Sequence, residues 1–355
     1  MSRFFSDKFA KLTPYTPGEQ PKDMRYIKLN TNESPFPPPK SVVKRAKAEA
    51  EKSQLYSDPT CSEFLSVVAN KFGVNPEQVI ATNGSDEVLN FAFMAFCDDK
   101  TPVVFPDVTY GFYPVFAKLH NIPYREIPLT DDFKINYIDY LGVKATVVIA
   151  NPNAPTGLYL KRGEIEEIIK SNPDNVVIVD EAYVDFGAES CVPLIKKYDN
   201  LLVTQTFSKS RSLAGARLGV GFGSEKLIAD LHTIRYSTNP YNVNRMTLGA
   251  GVEAIKQDGY YRKKIYEICR VRYQTKRALE KLGFTVLDSG ANFLFAKSEK
   301  IDGETLYKKL KERGVLIRHF TLERIKDFNR ITIGTEGQMQ VFLQKVEEII
   351  KEQDK

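Results

Sequence analysis

The run Val176-Val177-Ile178-Val179 is apolar and almost entirely β-branched, and it ends on the acidic pair Asp180-Glu181. A strand with one wet face alternates polar and apolar residues, so a run without alternation must be covered on both faces. Comparable short runs recur from about residue 60 onward, at 78–82, 102–105, 124–127, 146–150, 201–207 and 218–222, with helical patterns between them. This βαβ series predicts an α/β fold with a mostly parallel sheet flanked by helices. Past Asn244 a charge-laced helical stretch runs to about Leu282. Strands at 285–287, 293–296, 316–318 and 330–333 then alternate with two helices, the last placing Met339, Phe342, Leu343, Val346 and Ile350 on one stripe. That rhythm predicts a smaller α+β domain. Pro14, Pro17, Gly18 and Pro21 mark 1–30 as an extended arm. The division expected is therefore the arm, a segment over 31–50 joining the small domain, a large domain over 51–245 and a small one over 246–355.

Composition removes several function classes. The 355 residues carry 50 basic and 45 acidic side chains, scattered along the chain, so neither nucleic acid nor a membrane surface is an expected partner. Cys61, Cys97, Cys191 and Cys269 lie far apart without a C-x-x-C pair, which points to reduced thiols in a cytoplasmic protein. His120, His232 and His319 have no metal-ligand spacing, and no metal is expected. The N-terminus lacks an apolar targeting core, and no stretch approaches membrane-spanning length.

Open α/β sheets bind ligands at the carboxyl ends of their strands. Lys209 follows the 201–207 run, among Ser208, Ser210, Ser212, Ala214 and Gly215. Small neighbours let a bulky group approach, and a lysine amine there can form a Schiff base with a carbonyl cofactor; taken singly, it would read as a surface lysine. Asp180 closes a strand too apolar to tolerate an unpaired carboxylate, so it either caps a helix or meets a cation such as a protonated pyridine nitrogen. Tyr183, three residues on, is placed to reach the phenolic oxygen of the same ring. Gly84, Ser85 and Asp86 open a helix, whose N-terminus is an anion site. Ser208 and the guanidinium of Arg217 add donors suited to a phosphate. Tyr110 is placed to stack on an aromatic ring or simply to pack. In Asn151-Pro152-Asn153-Ala154-Pro155-Thr156-Gly157 two prolines and a glycine force a defined turn, from which an asparagine can reach a cofactor oxygen.

These pieces, in this order and over nearly the whole chain, resemble the fold-type I pyridoxal-phosphate aminotransferases, and 206–215 satisfies that family's lysine signature at every restricted position. The resemblance implies pyridoxal 5'-phosphate as cofactor. It casts Lys209 as the Schiff-base lysine and proton shuttle, Asp180 as the partner of the pyridinium nitrogen and Tyr183 as a holder of the ring oxygen. Ser85, Ser208 and Arg217 then hold the phosphate, with Gly84 and Asp86 also in the cofactor site. The family commonly has Asn directly before Pro-Thr-Gly; Ala154 stands there, so the ring contact passes to Asn153 or Asn151, with Asn153 preferred.

Further segments are similar to the histidinol-phosphate branch of that family. They are the 13–18 arm with Tyr15, the segment Asn30-Thr31-Asn32-Glu33-Ser34-Pro35, Tyr56-Ser57-Asp58-Pro59, and Pro240-Tyr241-Asn242-Val243-Asn244. Phe36-Pro37 departs from the usual tyrosine-glycine ending. By this resemblance Tyr56 reaches the cofactor phosphate of the neighbouring subunit in a homodimer. Tyr15, Asn32, Arg318 and Arg330 become substrate-binding candidates. The two arginines sit on adjacent predicted strands, where guanidinium forks serve a substrate phosphate or a carboxylate equally. The expected reaction is amino-group transfer between L-histidinol phosphate and 2-oxoglutarate in histidine biosynthesis. A threonine-phosphate decarboxylase or an aromatic amino-acid aminotransferase would share much of this machinery. A non-catalytic regulator on this fold would carry a DNA-binding segment ahead of it, and the arm is too short for one. A nicotinamide dehydrogenase would need a G-x-G-x-x-G after an early strand, which is missing.

Overall fold

The computed structural model describes residues 2–10 and 12–353. In chain order the strands are β1 (Ile27–Lys28), β2 (Val79–Thr82), β3 (Val103–Pro106), β4 (Tyr124–Ile127), β5 (Thr146–Ala150), β6 (Val177–Asp180), β7 (Leu201–Thr206), β8 (Gly219–Phe222), β9 (Phe284–Val286), β10 (Phe293–Ser298), β11 (Val315–Leu316), β12 (Arg318–His319) and β13 (Asn329–Thr332). The α-helices are α1 (Lys40–Ala50), α2 (Ser62–Phe72), α3 (Ser85–Phe96), α4 (Tyr113–Leu119), α5 (Arg162–Ser171), α6 (Glu225–Thr238), α7 (Arg245–Lys256), α8 (Asp258–Lys281), α9 (Gly303–Glu312) and α10 (Glu336–Gln353).

Seven strands form one sheet in the order β2-β8-β7-β6-β5-β3-β4. Its pairings are parallel from β4 through β7, and only β8 runs antiparallel to both neighbours. Successive side chains of a strand point to opposite faces, and the two cores divide accordingly. Val147, Ile149, Val177, Val179, Leu201 and Val203 pack on one side with Phe64 of α2, Ile165 of α5 and Val252 of α7. Val148, Ala150, Ile178 and Leu202 pack on the other with Phe93 of α3, Phe116 of α4 and Leu231 of α6. Double coverage is why these strands read as continuous apolar runs.

A second sheet, β12-β13-β10-β9, is antiparallel and is covered by α8, α9 and α10 around Leu294, Ala296, Ile331, Leu310 and Val346. The segment expected as one strand at 316–318 splits at Ile317. Val315–Leu316 pairs in parallel with β1, whereas Arg318–His319 pairs with β13. Through β1 the arm is stitched to the small layer: the Leu29 N–H donates to Leu316 O at 2.7 Å, and the Thr332 N–H donates to Leu29 O at 3.0 Å. Residues 30–33 are thereby laid beside β13. The change from one core to the other falls within α8, where Tyr261 belongs to the first and Ile268, Val271 and Leu279 to the second. It comes later than residue 246, where the change of rhythm places it. Among the described residues no helix is long and apolar enough to cross a membrane.

Candidate active site

Parallel strands end on one edge, and there a cleft of about 380 Å³ opens. Asp180 closes β6, Ala150 closes β5, Gly84 follows β2 by two residues and Lys209 follows β7 by three. Ser85, Asp86, Tyr110, Tyr183, Ser208 and Arg217 are the other expected residues in the wall, Pro152 and Ala154 join them from the 151–157 turn, and Gln20, Thr31 and Glu33 arrive from the arm side.

Lys209 is partly buried, and its Nζ donates to Thr31 O at 3.2 Å. Burial, helped by the charge of Arg330, lowers its pKa from 10.5 to about 8. The sign of the stability effect follows. Below about pH 8 the folded protein holds a charge it would rather lose, and the cost disappears as pH rises from about 8 to 10.5. That drop corresponds to up to about 3 kcal/mol. Cofactor-free Lys209→Met protein is therefore expected to melt higher than wild type at pH 7, with the gap closing above pH 10; equal melting curves at pH 7 would contradict a strained lysine.

Asp180 is 5% exposed. Burial raises its pKa to about 6, against the Tyr113 hydroxyl, which donates to its Oδ2 at 2.9 Å, and with further upward pressure from Asp86. Such a carboxylate calls for a cation above it.

At the other end of the cleft Gly84 takes φ +86° as the N-cap of α3, so the first N–H groups of that helix open onto the cleft. Gly84 has no room for a side chain: a Cβ there would stand 2.6 Å from Arg217 Nη2. Gly219 on β8 is as tight, since its Cβ would meet Ser85 N at 2.4 Å. The two glycines bring helix, strand and guanidinium together into one cup. In that cup Arg217 donates to Ser208 Oγ at 3.3 Å and to Asp86 Oδ2 at 3.2 Å, and the Tyr110 hydroxyl donates to Asp86 Oδ1 at 2.8 Å.

Arg318 and Arg330 face each other directly across the β12–β13 pair. Like charges in that position repel unless an anion lies between them. Arg330 Nη2 donates to Asn30 O at 2.9 Å, its Nε is buried without a partner, and its guanidinium lies over the rings of Phe293 and Phe320. Burial, then the charge of Arg318, depress its pKa, while the phenols of Tyr183 and Tyr15 work against them. Arg318 donates to Thr16 O at 3.4 Å, and its guanidinium lies 5.7 Å from the Phe320 ring centroid. Tyr15 stacks on Phe112 at 4.3 Å and approaches Tyr110 at 6.3 Å.

The expected asparagines are placed otherwise. Asn153 turns away from the cleft: its Oδ1 accepts from Thr109 Oγ1 at 2.7 Å, and its Nδ2 donates to Val108 O and Thr156 Oγ1. Asn151 is likewise consumed within the turn by Leu160. The turn's own polar needs win, and Ala154 is what lines the cleft. Asn32 is 1% exposed and gives its amide to Tyr183 rather than to open space. Tyr56 is 78% exposed, stacked on Tyr241 at 4.5 Å, and takes no part in the cleft of its own chain.

Sequence reasoning missed Tyr113, Thr31 and Glu33. Tyr113 had a signal, three residues beyond Tyr110 at a helix start; a backbone carbonyl such as that of Thr31 has none. It also missed Glu181, 2% exposed and raised to about pKa 7 by burial, against donors from the Cys191 N–H, Ser190 and Gln205. Among the described residues no group of His, Cys, Asp or Glu side chains is arranged to hold a metal.

Residues 25–346 match the family described as aminotransferase class I and II. The chain is 49% identical over 354 residues to the histidinol-phosphate aminotransferase of Brachyspira hyodysenteriae, covering 99% of this chain and 100% of that one. It is 43% identical over 351 residues to the histidinol-phosphate aminotransferase of Clostridium acetobutylicum, covering 99% and 100%. Its fold is similar, with a TM-score of 0.84 at 21% identity and 92% of each chain covered, to the histidinol-phosphate aminotransferase from Sinorhizobium meliloti in complex with pyridoxal-5'-phosphate.

Proposed function

This chain belongs to the class I and II aminotransferase family, and from that membership we propose that it transfers the amino group between L-histidinol phosphate and 2-oxoglutarate in histidine biosynthesis, with pyridoxal 5'-phosphate as cofactor. The observation that carries the choice of substrates is the facing pair Arg318 and Arg330. It is a doubly cationic mouth that suits the phosphate of one substrate and a carboxylate of the other.

The cleft fits the cofactor. The cup of Gly84, Ser85, Ser208 and Arg217 is shaped by glycines that admit no Cβ, and Arg217 rests on Asp86, an anion already in reach. At the far end Asp180 is a buried carboxylate with hydroxyl and N–H donors and, among the described residues, no ion-pair partner. Pyridoxal phosphate, when bound, supplies an electron-withdrawing ring that takes up charge from the substrate's Cα.

The protein's residues do the rest. Asp180 would hold the ring nitrogen in its protonated form. Tyr183 would hold the ring oxygen, and Tyr110 would pack on the ring. Lys209 takes the proton from the substrate carbon and returns it; a pKa near 8 leaves neutral amine available at physiological pH. Arg330, partly buried and stacked between aromatic rings, fixes the substrate's anionic end, with Arg318 and the Tyr15 hydroxyl at its side. The chain works as a cytoplasmic homodimer in which Tyr56 serves the neighbouring active site. The exposure of Tyr56 outside the lining of its own cleft supports that reading.

The test mixes loaded protein with L-histidinol phosphate alone. Loss of the visible cofactor band, restored by 2-oxoglutarate, is the expected result. An unchanged band, with carbon dioxide released from O-phosphothreonine, would replace transamination by decarboxylation.

A further inference from the structure

We propose that Asn32 is a positioning residue for the reaction: it fixes the direction of the Tyr183 hydroxyl proton and so reserves that proton for the cleft. The proposal rests on the function proposed above.

Four contacts hold Asn32. Its N–H donates to Thr332 Oγ1 at 3.0 Å, and the Thr332 hydroxyl donates back to Asn32 Oδ1 at 2.9 Å. Its carbonyl accepts from Asn292 Nδ2 at 3.0 Å. With the amide oxygen occupied, the amide nitrogen is left to donate to Tyr183 Oη at 2.9 Å. Asn32 has φ +56°, a left-handed conformation that L-residues other than asparagine and aspartate rarely adopt. A strained, buried and fully satisfied asparagine beside an active site is held there by its surroundings.

A phenol has one proton and two lone pairs. An amide N–H can only donate, so the Asn32 contact takes a lone pair and leaves the proton free. Among the described residues that hydroxyl has no other partner. Tyr183 lines the cleft, with Lys209 Nζ 5.8 Å from its ring centroid. The duty matters more in this chain because the turn offers no competing donor: Asn151 and Asn153 are spent internally, and Ala154 faces the cleft. Tyr183 is thus the neutral donor on that side, and its orientation depends on one amide.

The experiment follows visible absorbance against pH for loaded wild type, Asn32→Gly, Asn32→Asp, Tyr183→Phe and the double variant Asn32→Gly/Tyr183→Phe. Glycine keeps the positive φ without strain and removes the amide. Aspartate keeps the shape, but its carboxylate accepts the Tyr183 proton and draws it away. A donor to the ring oxygen stabilises negative charge there, most of all once the conjugated nitrogen is deprotonated, so losing the donor raises the midpoint. Both Asn32 variants are expected to raise it by about one pH unit, equivalent to about 1.4 kcal/mol. Tyr183→Phe sets the ceiling, and Asn32→Gly adds nothing to it.

A lower melting temperature of the cofactor-free Asn32 variants with an unmoved midpoint, while Tyr183→Phe moves it, would reduce Asn32 to a structural role and overturn the proposal. A midpoint unmoved by Tyr183→Phe would remove the ring contact from Tyr183 and the proposal with it, leaving the transaminase reading intact. A wild-type protein that takes up no cofactor and shows no visible band would overturn both.

Discussion

Replacing Lys209 by alanine is expected to lower the transamination rate by about 10⁴-fold, the upper range for loss of a positioned acid–base group. The variant loses the amine at the centre of the cleft, where Nζ lies near the Tyr183 ring and against Thr31 O. It keeps Asp180, Ser208 and Arg217, so cofactor still binds, by ring and phosphate contacts alone. The measurement is single-turnover conversion of L-histidinol phosphate by the loaded variant, with bound cofactor counted separately. Turnover at the wild-type rate would sink the assignment of Lys209, whatever the sequence signature around it.

The second large effect is expected at Arg330. Changing it to leucine preserves packing against Phe293 and Phe320 and removes the charge. A partly buried guanidinium that pairs with a substrate anion is worth about 2–5 kcal/mol, or about thirty- to several-thousand-fold in kcat/KM. Under the proposed role both half-reactions should fall in parallel, because the phosphate of L-histidinol phosphate and a carboxylate of 2-oxoglutarate would share one fork. A loss confined to one of them would show that the substrates use separate anion sites. Arg318→Ala should cost less, about 1 kcal/mol, because that side chain is held by a long contact to Thr16 O and a loose approach to the Phe320 ring.

The large sheet was legible because double coverage leaves a plain mark. Thr146–Ala150 and Tyr124–Ile127 are strands at the limits read from the sequence, and the others shift by only a residue or so. Lys209, Asp180, Gly84 and Arg217 were legible because strand ends, small residues and a glycine-serine helix start are local signals. The turn at 151–157 shows where local signals stop. Its composition says that an asparagine is fixed there but not toward what, and Asn153 is claimed by Thr109 and Val108, more than forty residues upstream. Asn32 is the same case in reverse: its type and neighbourhood were flagged, but its partners Tyr183, Asn292 and Thr332 lie 151 to 300 residues away. The split of 316–318 between two sheets was equally invisible, since β11 and β12 differ in partner and not in pattern.

Helix α8 has 24 residues, about 36 Å from end to end. It is anchored in the first core by Tyr261 and in the second by Leu279. Between those anchors Arg272 Nη1 donates to Phe186 O at 3.1 Å and Cys269 Sγ lies 3.3 Å from the same oxygen, three residues beyond Tyr183. A rod fixed at both ends does not stretch. Helix α8 thus joins the layer that carries Arg318 and Arg330 to the backbone that follows Tyr183, so the spacing of the two layers is set by one rigid length.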